Sequence, residues 1–126
     1  MNFPAVLCVE DEPELLDDLV NMLRNAGYDA VPCTCGEDAL RLLADRLFAV
    51  VLCDIQLPGI DGFELLHLTR QRELSASAFW ILMTAYSDSE VYKRVSLLTD
   101  VEFLVKPIDF EKLLALIALK LGSASH

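Results

Sequence analysis

The sequence predicts an α/β fold: one doubly wound parallel sheet with helices on both faces. Short apolar runs alternate with amphipathic stretches five times along 126 residues. Ala5–Val9, Ala49–Cys53 and Phe79–Met83 are continuously apolar, as strands buried on both faces must be. Strands separated by helices of this length are the pattern of right-handed βαβ crossovers.

The elements follow in order. Ala5–Val9 is the first strand. A helix spans Pro13–Ala26: Pro13 suits the first turn, and Glu12 and Glu14 suit its positive end. Leu16, Leu19, Val20 and Leu23 keep the i, i+3, i+4, i+7 spacing, and Gly27 stops the helix. Tyr28–Cys33 is a second strand whose mixed polarity places it at an edge. Glu37–Asp45 is a helix with Ala39, Leu40, Leu43 and Ala44 inward. Ala49–Cys53 is the third strand, and Leu57-Pro-Gly-Ile-Asp-Gly62 is a loop by its proline and glycines. Phe63–Arg72 is a helix with Leu65, Leu66 and Leu68 on its apolar side, and Ala78–Met83 is the fourth strand. Asp88–Leu98 is a helix with Val91, Val95 and Leu98 on one stripe. Phe103–Val105 is the fifth strand, and Asp109 caps a last helix, Phe110–Leu121. Residues 122–126 are small and polar, a linker stub or tag remnant beside a single domain over 1–121.

Composition narrows the function. A net charge of −10 repels phosphate backbones and anionic lipid, so the chain binds neither nucleic acid nor membrane directly. No apolar run approaches the ~20 residues of a membrane span. Met1-Asn-Phe-Pro4 lacks the basic start and apolar core of a signal peptide, so the chain is expected to be cytoplasmic. Cys8 and Cys53 lie inside strand-like runs as small core residues. Cys33-x-Cys35 lacks metal or redox spacing and is read as unpaired thiols at a strand end.

The chemistry gathers where the strands stop. Ala5–Val9 ends on Glu10 and Asp11, Ala49–Cys53 on Asp54, Phe79–Met83 on Thr84, and Phe103–Val105 on Lys106. In open α/β sheets, sites form at the carboxyl ends of strands where the strand order reverses. Two like charges about 4 Å apart repel by roughly 4 kcal/mol at an effective dielectric of 20, so the carboxylates need a cation. Lys106 is one candidate. A hard divalent ion such as Mg²⁺ or Mn²⁺ is another. A carboxylate is also a nucleophile for aspartyl-phosphate formation, for which Asp54 is the candidate. Thr84 can donate to a phosphoryl oxygen and Lys106 can pair with another. Pro107 holds Lys106 to an extended backbone. Each residue alone has a bland reading, such as Asp11 being a helix cap, but together the typed strand ends are specific.

Val6-Leu-Cys-Val-Glu-Asp-Glu12, Asp54-Ile-Gln-Leu-Pro-Gly-Ile-Asp-Gly62, Leu82-Met-Thr-Ala85 and Val105-Lys-Pro107, in this order, give the chain its family likeness. It resembles the receiver domain of two-component response regulators over about Phe3 to Leu121. The resemblance implies a flavodoxin-like (βα)5 fold with sheet order 2-1-3-4-5. It implies a signalling phosphoprotein and not an enzyme acting on outside substrates. Asp54 would form an aspartyl phosphate, receiving the group from a histidine kinase or histidine phosphotransfer protein. Asp11, Asp54 and the Gln56 backbone carbonyl would bind Mg²⁺, with Glu10 acting through water. Thr84 and Lys106 would hold the phosphoryl group. Thr84 and Phe103 would form the switch, Lys106–Pro107 would be cis, and Gln56 and Tyr86 would tune the lifetime of the phosphoryl group. Three features depart from the family pattern. Glu10 stands for the usual Asp, Phe103 lacks the hydroxyl of the commoner Tyr, and Leu97-Leu-Thr-Asp-Val-Glu102 lacks the usual Gly-Ala.

Rival readings remain. A haloacid-dehalogenase-type phosphohydrolase also uses an Asp nucleophile, but its second Asp is Gln56 here. A flavodoxin-like FMN carrier needs a phosphate loop where Glu10-Asp-Glu-Pro13 stands. A degenerate receiver would lack key side chains that are present here. The last helix, apolar nearly all round from Leu113 to Leu119, either packs deeply or forms a homodimer or partner surface with Asp88–Leu98. An output domain would lie beyond Gly122.

Overall fold

Apolar side chains alternating on both sides of a strand leave no polar face, so helices must cover the sheet twice. A computed structural model, which describes residues 3–85 and 89–122, has this architecture. The strands are β1 (Ala5–Val9), β2 (Asp29–Cys33), β3 (Val50–Asp54), β4 (Phe79–Thr84) and β5 (Val101–Val105). The helices are α1 (Pro13–Asn25), α2 (Gly36–Asp45), α3 (Gly62–Gln71), α4 (Ser89–Ser96) and α5 (Phe110–Gly122). All strand pairs are parallel, in the order β2-β1-β3-β4-β5. Leu7, Val9, Val51, Cys53, Trp80 and Leu82 face one core, packed with residues of α2, α3 and α4. Val6, Cys8, Val50, Leu52, Ile81 and Met83 face the other, under α1 and α5. Among the described residues no helix is long and apolar enough to cross a membrane.

Sequence and structure differ mainly at element ends. β3 and β4 each run one residue further than predicted, through Asp54 and Thr84. β5 starts at Val101, two residues before the expected Phe103, because Val101 and Glu102 pair with Trp80 and Ile81 although Glu102 is charged. α4 ends at Ser96 and not at Leu98, yet Val91, Val95 and Leu98 still pack on the sheet. Ala44 is exposed, not inward. Ala39 and Leu43 are the buried pair, and Ala44 lies roughly 140° around the helix from Ala39. Deep packing accounts for Leu113 and Ile117 of α5, whereas Leu119 is 69% exposed. Gly122 closes α5. Tyr86, Asp88 and residues 123–126 of the terminal segment lie outside the described residues.

The segment from Asp54 to Gly62 fixes α3 against the end of β3. Gly59 turns the chain at φ +73°, a backbone region that glycine enters without strain. Asp61 then caps α3, its Oδ1 accepting from the Glu64 N–H at 2.8 Å. A Cβ on Gly62 would meet the Asp54 carbonyl oxygen at 2.6 Å and the Ile55 Cα at 2.8 Å. Both obstacles are backbone. Gly62→Ala is therefore expected to destabilise the fold by about 1–3 kcal/mol. Urea unfolding should show a lowered midpoint at unchanged slope. An unchanged midpoint would mean that α3 can move off β3 freely.

Candidate functional site

The sheet register builds the site. Val9 pairs with Cys53, Asp54 with Met83, and Thr84 with Val105, so the strand ends step across the sheet. Ladder bonds continue past them: the Ile55 N–H donates to the Met83 carbonyl at 2.8 Å and the Lys106 N–H to the Thr84 carbonyl at 2.8 Å. Glu10, Asp54, Thr84 and Lys106 thus share one edge. Glu10 and Thr84 are fully buried, Asp54 is 3% exposed, and Asp11 faces solvent. Asp11 does not cap α1. Glu12 holds the N-cap position, without a side-chain cap bond.

One ammonium gathers the acids. Lys106 Nζ lies 2.8 Å from Asp54 Oδ2, 2.9 Å from Glu10 Oε1 and 3.2 Å from Glu12 Oε1. Sequence reasoning gave Glu12 only to the helix start. Its place in the acidic run Glu10-Asp-Glu12 was the available signal. Backbone donors hold the remaining oxygens: the Glu12 N–H donates to Glu10 Oε2 at 3.1 Å and the Gln56 N–H to Asp54 Oδ1 at 3.0 Å. The Thr84 hydroxyl donates to Gln56 Oε1 at 2.5 Å. Sequence reasoning had not foreseen a side-chain role for Gln56 of this kind. Phe103 is half-buried, its ring meeting Tyr92 edge-on at 5.4 Å. The Lys106–Pro107 peptide bond is cis.

The electrostatics follow from burial. Burial pushes the Glu10 carboxyl up to about 7, and the contact with Lys106 only partly offsets this. Burial also opposes charge on Lys106, but the hydrogen bond to Asp54 and the Glu10 carboxylate beside it outweigh it and raise the ammonium above its ordinary value. The four cysteines are free. Burial pushes the Cys8 thiol to about 12 and raises Cys33 and Cys53, which suits inert core thiols rather than ligands.

A cation fits here. One carboxylate oxygen from each of Glu10, Asp11 and Asp54 lies within 4.8 Å of the others. Glu10 Oε1 is buried and, despite its ionic contact with Lys106, has no hydrogen bond of good geometry. It retains acceptor capacity for a water on the metal. An all-oxygen donor set selects a hard divalent ion.

The family model for the response regulator receiver domain matches residues 6–118. The response regulator protein FleR of Pseudomonas aeruginosa is 35% identical over 113 residues, covering 90% of this chain and 24% of that protein. The two-component response regulator ORR21 of Oryza sativa is 34% identical over 118 residues, covering 90% of this chain and 17% of that protein. The chain thus spans a quarter or less of the length of these curated relatives. A CheY-like response regulator receiver domain protein from Methanospirillum hungatei superposes with a TM-score of 0.85 at 26% identity, covering 97% of this chain and 96% of that one.

The raised pKa of Glu10 predicts that cation binding at this site depends on pH. Its folded value, about 7, exceeds the ordinary 4.5. Protonated Glu10 therefore stabilises the metal-free fold fully below 4.5, and that contribution is lost as pH rises through about 7. A divalent ion must displace the proton. The rise in melting temperature at a fixed millimolar concentration of divalent ion should be small at pH 5.5 and grow through pH 7. A gain independent of pH would show that Glu10 takes no part in cation binding.

Proposed function

The chain belongs to the response regulator receiver domain family, and on that premise we propose that Asp54 receives a phosphoryl group from a phosphohistidine. A histidine kinase or a histidine phosphotransfer protein supplies it. An Asp54 oxygen forms a P–O bond as the N–P bond breaks. The bonding pair stays on the imidazole nitrogen, which then takes up a proton. The observation that carries this reading is Asp54 at the end of β3, 3% exposed, with Lys106 Nζ at 2.8 Å and two further carboxylates within cation-sharing reach.

Asp11, Asp54 and the Gln56 carbonyl, with Glu10 through water, would hold Mg²⁺ or Mn²⁺, which when bound would supply positive charge to the transferring phosphoryl oxygens. Lys106 meets a second oxygen from the side of β5. Thr84 gives its hydroxyl proton to a third, from the end of β4. Three new acceptor oxygens thereby compete for groups now bound to Asp54 and Gln56, and this redistribution is the switch. Phe103, on the strand that leads into Lys106, changes its packing in response. Gln56 and Tyr86 set how long the phosphoryl group survives. The readout is an output domain or partner, with a second copy of the chain as an alternative, along the outer sides of α4 and α5, where Tyr92, Leu97 and Leu119 are exposed. Gln56 offers no carboxylic acid to protonate a leaving group, which counts against the phosphohydrolase alternative.

Acetyl phosphate with Mg²⁺ should add one phosphoryl mass to the intact protein. The addition should disappear in Asp54→Asn and fail when EDTA is present. Labelling that survives Asp54→Asn would remove Asp54 from its role, and turnover of phosphate esters would favour the hydrolase.

A further inference from the structure

The hydrogen bond between Thr84 and Gln56 joins two groups that the proposed reaction needs in other places. The Thr84 hydroxyl donates to Gln56 Oε1 at 2.5 Å. A hydroxyl has one proton to give. While the carboxamide holds that proton, no phosphoryl oxygen can receive it. Thr84 is fully buried, so bulk water does not substitute as an acceptor. Gln56 is exposed, so its released carboxamide is solvated at once. The same residue also touches the nucleophile, its backbone N–H donating to Asp54 Oδ1 at 3.0 Å. Gln56 therefore bonds to Asp54 through its main chain and to Thr84 through its side chain.

We propose that the Gln56 side chain is a positioning residue that latches Thr84 in the phosphate-free state. The inference rests on the receiver reading and names the competitor that the phosphoryl group displaces. Charged oxygens accept more strongly than a neutral amide, so phosphorylated Asp54 wins the proton. The unphosphorylated domain keeps the latch closed, and every activating ligand must supply the free energy that opens it.

Beryllofluoride with Mg²⁺, a non-covalent mimic of an aspartyl phosphate, measures this directly as an affinity. Gln56→Met keeps the length and bulk of the side chain and removes the oxygen acceptor. It should tighten beryllofluoride binding by roughly fivefold, the factor one net hydrogen bond supplies. Gln56→Asn, one methylene too short to reach Thr84, should show the same gain. An effect of bulk would instead separate Met from Asn. In a Thr84→Ala background neither substitution should change the affinity, since the latch has lost its other half. Wild-type affinity in Gln56→Met, or an equal gain in the Thr84→Ala background, would overturn the latch while leaving the receiver reading intact. Wild-type protein that binds no beryllofluoride, or Asp54→Asn that binds it equally well, would overturn the receiver reading and the latch with it.

Discussion

The contact between Lys106 and the carboxylates of Glu10, Asp54 and Glu12 is the constraint on which the site depends. Two like charges about 4 Å apart cost roughly 4 kcal/mol at an effective dielectric of 20, and the pocket edge holds Asp11 as well. One ammonium cannot neutralise that set. It leaves a negative deficit that suits a cation. Burial sharpens the deficit: Glu10 is fully buried, and its carboxyl is pushed up to about 7 even beside Lys106. Breaking a buried pair by removing one partner strands the other charge, so the arrangement is held from both sides.

Lys106 can hold this place only because the sheet register and the β3–α3 junction agree. The ladder bond from its N–H to the Thr84 carbonyl fixes where β5 ends relative to β4. Gly62 lets α3 start against the Asp54 carbonyl, and Asp61 caps that start. The acidic run after β1 contributes from the other side, where the Glu12 N–H orients Glu10. The core below is apolar on both sheet faces, and the buried carboxylates sit at the polar strand ends above it.

Much of this was legible in the sequence because central strands and α1 carry strong periodic signals. Ala5–Val9 matched to the residue, and Leu16, Leu19, Val20 and Leu23 are all buried. The strand ends were legible because chemistry-bearing residues follow apolar runs. Boundaries were less so. Asp54 and Thr84 look like loop residues by polarity, yet they still pair within the ladder, and Glu102 hid the start of β5 for the same reason. Ala44 was misplaced because alanine gives almost no hydropathy contrast between helix faces. Glu12 and the Thr84–Gln56 bond were not legible because they depend on side-chain directions across three separate loops, which no spacing rule encodes.

The elements are unequally anchored, and the inequality decides which of them a change at Asp54 can move. α5 inserts Leu113 and Ile117 fully into the core, and α1 inserts Leu19 and Leu23. Moving either would expose large apolar area. α4 buries no residue. It is held by half-buried Val91 and Val95, by Arg94 stacked 3.9 Å over the Phe63 ring, and by Tyr92 against Phe103. Cation–π and edge-on ring contacts contribute on the order of 1 kcal/mol each, far less than a core side chain. Phe103 lies on β5, three residues before Lys106, which directly follows that strand, so it joins the pocket to this weakly anchored helix. On the proposed receiver reading, a rearrangement of Thr84 and Lys106 would meet its least resistance at Phe103 and α4, since local opening free energies are lowest where buried contacts are fewest.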